Sequence, residues 1–251
     1  MAVPTIEKNL RCFYLNARSL TNKLDFFNLE IIENNNFPDI IFVTETWLDE
    51  SFSNSLFECK NSYQIFRKDR TCGRGGGVAI FVKNEISCSP LEVPNIGSLE
   101  AIAVKIIFKN KCFVLDNCYK PHITDTHLLP YIDKFLSCLS KNNNSVLLTG
   151  DFNLPGIDWV LPSAPPIFDQ SKFLDVFLKY GFYQIVRDAT RYNNILDLIF
   201  TNEPHCTKNF VVLPPIANCD QNVLKFSLMY ENENDSLCSA EAPQYLWSKM
   251  V

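Results

Sequence analysis

From LRCFYLNA at residues 10–17 to QNVLKFSLMY at 221–230, short apolar runs of strand length follow one another along the chain, separated by turn residues. A chain patterned this way has to fold mainly into sheets. The intervening runs are DIIFVTETW (39–47), YQIFRKD (63–69), GVAIFVKN (77–84), SVLLTGDFN (145–153) and ILDLIFTN (195–202). The turn around Lys109–Lys111, between LEAIAVKIIF and KCFVLDNCYK, predicts a hairpin over 99–120. Three stretches repeat with helical spacing instead: Leu24, Phe27 and Ile31; Leu128, Ile132, Phe135 and Leu139; and Phe173, Leu174, Phe177 and Leu178, ended by Gly181. Helices between strands, together with hairpins, imply an α+β chain in which two mixed sheets pack face to face with helices outside.

A length of 251 residues with 47% hydrophobic content suits one domain with a sizeable core. Beyond Tyr230, ENENDSLCSAEAPQ is acidic and polar, so the domain is expected to span 1–230 and a polar linker or tail 231–251. MAVPTIEKNLRCFYLNA lacks the basic start and apolar stretch of a signal peptide, and no apolar run approaches the roughly 18 residues that span a bilayer. The chain is therefore expected to be soluble and intracellular, nuclear or cytoplasmic, without a membrane partner. Its ten cysteines include no C-x-x-C pair and no zinc-spaced cluster, and several, such as Cys12, Cys112 and Cys138, sit inside apolar runs, which predicts free buried thiols. The sequons at Asn143 and Asn234 carry no weight without a secretion signal.

A net charge of −5 excludes a protein that wraps nucleic acid through general basicity, because phosphate contacts need Lys and Arg. It leaves room for a local basic rim. In RKDRTCGRGGG, Arg67, Lys68, Arg70 and Arg74 face only Asp69, and this loop reads equally as such a rim or as a solvated flexible segment. Gly75–Gly77 lack the following G-K-[ST] of a P-loop and are expected to form a turn that feeds a strand. Trp47 and Trp159 are expected in the core or at its rim rather than as stacking groups. For Arg187 and Arg191, phosphate contact and a solvated surface are both open readings.

Polar residues recur where the runs end: Asn16, Glu45, Tyr119, Asp151 with Asn153, Asp197 and Asp220. Any one of them alone reads as a turn residue, whereas several together point to a site. In LLTGDFNLPG, Gly150 permits a close backbone approach, and Asp151 and Asn153 point to one side because strand side chains alternate. A carboxylate and a carboxamide so placed can orient a water for attack on phosphorus. Glu45 in TETW is the hard oxygen ligand that Mg2+ prefers.

Taken in order, LNARS, TETW, GGGVAIFV, CYKP, LLTGDFNLPG, TRYNNILDLIFTN and CDQNVL resemble the endonuclease/exonuclease/phosphatase superfamily over about residues 9–230. Within it, they resemble the apurinic-type endonuclease domain of Jockey-like non-LTR retrotransposons. The resemblance implies a four-layer α/β/β/α sandwich like that of deoxyribonuclease I, a Mg2+ (or Mn2+) cofactor and double-stranded DNA as substrate. The implied task is to nick chromosomal DNA so that its 3′ hydroxyl primes reverse transcription, with a reverse transcriptase domain elsewhere in a polyprotein; the chain would then be the endonuclease part or a truncated product. It also implies that Asn16 positions the nucleophile-side carboxylate, that Glu45 binds the metal and Asp220 lies near it, and that Tyr119 contacts the scissile phosphate. Asp151 would orient or deprotonate the attacking water, Asn153 would hold the phosphate or the developing charge, and Asp197 would pair with the histidine of a closing S-D-H motif.

Here that motif reads C-D-Q: Cys219, Asp220, Gln221. Imidazole can accept a proton, donate one or carry positive charge, whereas an amide offers only neutral hydrogen bonds. The chain's histidines, His122, His127 and His205, stand away from the motif. Losing general acid–base help of roughly 10² to 10⁴ in rate predicts an impaired endonuclease. The alternative is a catalytically inactive DNA-binding or interaction module on the same fold. A phosphatase or sphingomyelinase on this scaffold is disfavoured by the wording of TETW, GDFNLPG and LDLIFTN.

Overall fold

The computed structural model describes residues 9–57, 62–121, 128–141, 144–159 and 168–229, except for the side chains of 168–171. The expected tail at 231–251, the sequons at Asn143 and Asn234, and His122 and His127 lie outside the described residues. The strands are β1 (Leu10–Asn16), β2 (Ile40–Thr44), β3 (Tyr63–Lys68), β4 (Val78–Lys83), β5 (Ser87–Leu91), β6 (Glu100–Phe108), β7 (Lys111–Tyr119), β8 (Ser145–Asp151), β9 (Tyr183–Gln184), β10 (Asp197–Thr201), β11 (Thr207–Leu213) and β12 (Val223–Leu228). One sheet runs β11-β12-β1-β2-β4-β3 and the other β5-β6-β7-β8-β10-β9. Each is mixed: β1 pairs with β2 and β7 with β8 in parallel, and the remaining pairs are antiparallel. The predicted hairpin over 99–120 is β6–β7.

Three helical stretches fall where the spacing predicts them. Helix α1 (Leu24–Phe26) runs on as a wider π-helical stretch over Phe27–Glu33, while α2 covers Leu128–Leu139 and α3 Phe168–Lys179. Gly181, at φ +69°, ends α3 in a Schellman turn: the Phe182 amide donates to the Phe177 carbonyl and the Gly181 amide to that of Leu178. Strands β5, β9 and β11 are absent from the sequence reading. All three lie at or beside a sheet edge, where one-sided pairing tolerates sequences such as SCSPL that carry a proline and few apolar residues.

Side-chain alternation divides the apolar residues into three layers. Phe13, Leu15, Ile41, Val43 and Phe81 pack outward against Phe27, Ile31 and Ile32. Tyr14, Phe42, Ile80 and Phe226 meet Ile106, Phe113, Leu115, Leu147 and Ile199 between the sheets. Val114, Val146, Leu148 and Phe200 pack outward against α2 and α3 through Phe135, Leu136, Phe173 and Phe177. The result is the expected α/β/β/α sandwich. Trp159 is buried edge-on to Phe200, as its core reading expects. Of the thiols expected to be buried, Cys12 is enclosed, whereas Cys112 and Cys138 are only half-buried; none of the described cysteines is in a disulfide. Among the described residues no helix is long and apolar enough to cross a membrane.

Asp116 is an exception within this core. It is fully buried on β7, and neither carboxylate oxygen accepts a hydrogen bond from a described residue. Burial holds its proton affinity well above the usual carboxylate range. The folded chain therefore keeps Asp116 neutral while the unfolded chain ionises it, so stability falls as pH rises from about 4 towards the raised folded value. Asp116→Val, which removes both oxygens and suits a strand, is expected to stabilise the fold at neutral pH by about 1–3 kcal/mol, or several degrees in melting temperature. The gain should shrink towards pH 4. A gain that is flat between pH 4 and 8 would show that Asp116 is not neutral in the fold.

Candidate active site

The space between the sheets is apolar over most of its depth and polar at one end. Along β1 the inward series Leu10, Cys12, Tyr14 closes with Asn16, and along β8 the residue after Leu147 and Thr149 is Asp151. Register does the rest: Asp151 lies directly opposite Tyr119 on β7 and Asp197 on β10, so the three side chains share the inter-sheet face. Parallel β1–β2 and β7–β8 both end here, which places the site at the carboxyl ends of two parallel pairs. Beneath it runs a polar seam. The Asn117 amide reaches across to the carbonyls of Val43 (2.8 Å) and Ala79 (3.0 Å), Thr149 Oγ1 donates to Asn117 Oδ1 (3.1 Å), and the Tyr14 hydroxyl joins Thr44 Oγ1 (2.9 Å) to Asp197 Oδ1 (2.7 Å). These residues tie the two sheets together; the sequence reading named Asp197 among them but missed Tyr14, Asn117 and Thr149, which lie inside runs that read as core strands.

At the mouth, Asn16 Nδ2 donates to Asp151 Oδ2 at 2.9 Å and to Glu45 Oε1 at 3.4 Å, so one amide bridges two carboxylates. Glu45 lies just past β2, with φ at +50°, an uncommon conformation for a non-glycine residue that the surroundings must enforce. They do so from two sides: Ser19 and Leu20 donate to the carbonyls of Glu45 and Thr46, while the Thr46 and Trp47 amides donate to Gly77 and Gly76. This turn ends the strand at Thr44, short of the predicted 47. The Trp47 indole donates to Glu45 Oε2 at 3.0 Å, and Arg74 stacks over its ring at 5.1 Å. Gly75–Gly77 all have positive φ, from +70° to +88°, and a side chain at Gly76 or Gly77 would collide with Arg70 or Thr46. Glycine-rich residues 75–77 thus form the expected turn, and they also clamp Glu45. Arg70, paired with Glu100, lies over the Tyr119 ring at 5.7 Å, so the loop's basic residues rim the site. Arg67 pairs with Asp69 instead.

Asp151 receives three donors: Asn16, Gln221 Nε2 at 3.0 Å, and the Asn153 amide on Oδ1 at 3.1 Å. Burial pushes its proton affinity up to about 6; the Gln221, Asn153 and Asn16 hydrogen bonds pull it down, and the Glu45 charge pushes it up. A Cβ on Gly150 would strike the Cys118 carbonyl, so the close approach expected there is real and brings β7 and β8 together behind Asp151. Asn153, at φ +48°, donates from Nδ2 to the Lys120 carbonyl at 2.7 Å and leaves Oδ1 buried without a hydrogen bond. Burial and the charges of Glu45 and Asp151 hold the Tyr119 phenol well above its ordinary value.

Asp197 stands behind this group. Burial and repulsion from Asp151 raise its proton affinity far above the carboxylate norm, and neighbouring carboxylates resist joint ionisation. Its Oδ2 and the Gln221 Oε1 are both buried and accept no hydrogen bond. Asp220 faces elsewhere: its Oδ2 accepts from Arg191 at 2.6 Å and Arg18 at 3.3 Å, and Arg187 bonds the Trp159 carbonyl at 2.6 Å. The oxygens of Glu45, Asp151 and Asp220 do not form a mutual cluster; among the described residues the one trio of metal-capable atoms within 4.8 Å is Glu203, His205 and Cys206, at the far end of β10, where Lys111 already pairs with Glu203. The structure therefore groups Asn16, Glu45, Tyr119, Asp151, Asn153 and Gln221, sets Asp197 immediately behind, and places Asp220 among arginines. The Glu45 and Asp151 carboxylates, bridged by the Asn16 amide, are hard oxygen donors that suit a small cation such as Mg2+ or Mn2+, and Asn153 Oδ1 is a further oxygen without a donor.

Similarity to known proteins bears on the fold. No curated protein sequence matches the chain at a significant level. The fold resembles the endonuclease domain of TRAS1, a telomere-specific non-LTR retrotransposon, with TM-score 0.67 and 14% identity over 90% of this chain and 100% of that one. It also resembles the AP endonuclease LMAP from Leishmania major (TM-score 0.68, 12% identity, 91% and 93% covered) and the 3′ phosphatase NExo from Neisseria, solved with a product DNA hairpin (0.62, 14%, 88% and 100%). Residues 9–218 match the model of one family, and the chain belongs to it: the Endonuclease/Exonuclease/phosphatase family.

Proposed function

We propose that the chain is a metal-dependent DNA endonuclease whose activity is impaired at Gln221, and that it nicks target DNA for a non-LTR retrotransposon. The observation that carries this reading is the Asn16 amide bridging Glu45 and Asp151 at the mouth between the sheets. Two carboxylates held by neutral N–H donors, with no lysine or arginine paired to them, leave their oxygens for a cation and a water. Glu45, with Asp151 and Asn153 Oδ1, would hold Mg2+ or Mn2+. The ion, when bound, stabilises negative charge on phosphoryl oxygens. Asp151, ionised at neutral pH and fixed by three donors, accepts a proton from the attacking water. Asn153 and the Tyr119 hydroxyl face the same opening and would position the phosphodiester, while Arg70 and Arg74 attract the DNA backbone. Residues 1–230 would make up this domain, with a reverse transcriptase domain of the polyprotein as partner. Gln221 favours one other reading, a DNA-binding module without turnover.

A supercoiled plasmid with Mg2+ separates these readings. Slow nicking is expected, lost in Glu45→Gln, with no release of phosphate from soluble inositol phosphates. Duplex binding without nicking would establish the module instead. The metal itself is testable without DNA. Because the folded Asp151 titrates near 6 and the unfolded one near 3.8, the metal-free fold loses stability as pH rises through that window. Mg2+ should restore it above pH 6, by about 2.7 kcal/mol at a hundredfold excess over Kd, and do little at pH 5, where a proton occupies Asp151. Glu45→Gln should remove the response; an undiminished one would take Glu45 out of the metal site.

A further inference from the structure

Gln221 deprives the site of the one side chain that could place positive charge on the phosphate from this side, yet two guanidiniums stand beside it. Arg191 Nη2 and Arg18 Nη1 converge on Asp220, the residue next to Gln221 in the chain. One carboxylate cannot neutralise two guanidiniums, so positive charge remains beside Asp220.

Both arginines are held by the scaffold that builds the site. Arg18 follows β1 directly, its amide donating to Asn16 Oδ1 at 3.1 Å and its carbonyl accepting from Lys23 Nζ at 2.6 Å. Arg191 lies in a tight turn closed by mutual backbone bonds with Asn194. Thr190, before it, accepts the amides of Leu196 and Asp197 on Oγ1 and that of Asn222 on its carbonyl, which ties the turn both to Asp197 and to the segment carrying Gln221. The charge of Arg191 reaches Asp197. Arg191 Nε is buried and donates to nothing, so the guanidinium has unused hydrogen-bonding capacity. The side chains of Arg191 and Arg18 are 29% and 55% exposed, so both are open to an incoming ligand.

We propose that Arg191, steadied by Asp220 and seconded by Arg18, supplies the phosphate-directed positive charge that Gln221 cannot. The proposal rests on the nuclease reading above. Asp220 then acts as a positioning residue: it aims the guanidinium and offsets part of the arginines' charge.

The test is a double-mutant cycle on plasmid nicking with Mg2+. In the chain as it stands, Arg191→Ala should lower kcat by about 10-fold or more with a smaller change in KM, the scale expected for losing one donor aimed at developing charge. In Gln221→His, where an imidazole takes over the charge, the same change should cost no more than about threefold, a strong non-additivity. Arg191→Lys, which retains charge without the fork, should fall between wild type and Arg191→Ala and guards against a folding defect. Equal losses in both backgrounds, or none in the first, would overturn the proposal and leave the nuclease reading intact. No nicking in either background, with the fold intact, would overturn both.

Discussion

Gln221→His is expected to raise plasmid nicking about 10²-fold or more, the size of a general acid–base contribution. The setting for an imidazole is already present. Asp197 Oδ2 and Gln221 Oε1 are each buried without a donor, and both residues adjoin Asp151, Gln221 through its Nε2 and Asp197 across the β8–β10 pairing. An imidazole at 221 could donate one N–H to Asp197, which orients the ring, and turn the other nitrogen to the phosphate. Asp197 would then gain a cationic neighbour and ionise more readily. The exchange has a cost, since the Gln221 Nε2 bond to Asp151 is one of those that keep Asp151 ionised. That loss is smaller than the gain because Asn16 and the Asn153 amide remain. Adding Asp151→Asn to Gln221→His should abolish the gain, because the imidazole is retained and the water loses its base. Unchanged nicking with normal DNA binding would mean that the amide suffices or that the fault lies elsewhere. Vigorous nicking by the unmodified chain would show that no imidazole is needed.

The layers of the sandwich were legible because burial imposes a period. A strand packed on both faces must be apolar throughout, and DIIFVT or SVLLTG can hardly be anything else. Edge strands escape that demand, so SCSPL at 87–91 and TKNFVVL at 207–213 carried no comparable signal. The candidate site was legible where a polar residue closes an apolar run, as at Asn16, Glu45, Tyr119 and Asp151. Backbone conformation was not: Glu45 and Asn153 sit at positive φ, which nothing in TETW or GDFN announces. Tyr14, Asn117 and Thr149 also passed unnoticed, because a hydroxyl or amide that bonds across the sheets looks in sequence like a blemish in a core strand. Asp220 shows the limit most clearly. In sequence its carboxylate reads as a metal ligand, and nothing there announces that Arg18 and Arg191, far apart in the chain, converge on it.

Asp197→Asn should separate a restored site from the present one by about two orders of magnitude. In the chain as it stands Asp197 is neutral in effect, held so by burial and by Asp151, and its Oδ2 serves no donor. An asparagine has the same shape and can still accept the Tyr14 hydroxyl bond made by Oδ1 at 2.7 Å. The loss of nicking should therefore stay within about threefold, the margin left by a neutral, isosteric exchange. In Gln221→His the same substitution meets a different demand. There the carboxylate must hold the imidazole in one tautomer and stabilise its charge, and an amide that presents N–H to the ring would favour the wrong one; losses on the order of 10² or more follow from that error in a histidine–carboxylate pair. Stability should follow the opposite order. An asparagine stays neutral there without holding a proton, so Asp197→Asn should raise the melting temperature of the present chain increasingly as pH rises above about 4, where the unfolded carboxyl ionises, and leave it nearly unchanged below that. Equal activity losses in the two backgrounds would mean that Asp197 already works in this chain through some partner other than residue 221, and the account of Gln221 as the single defect would fall with it.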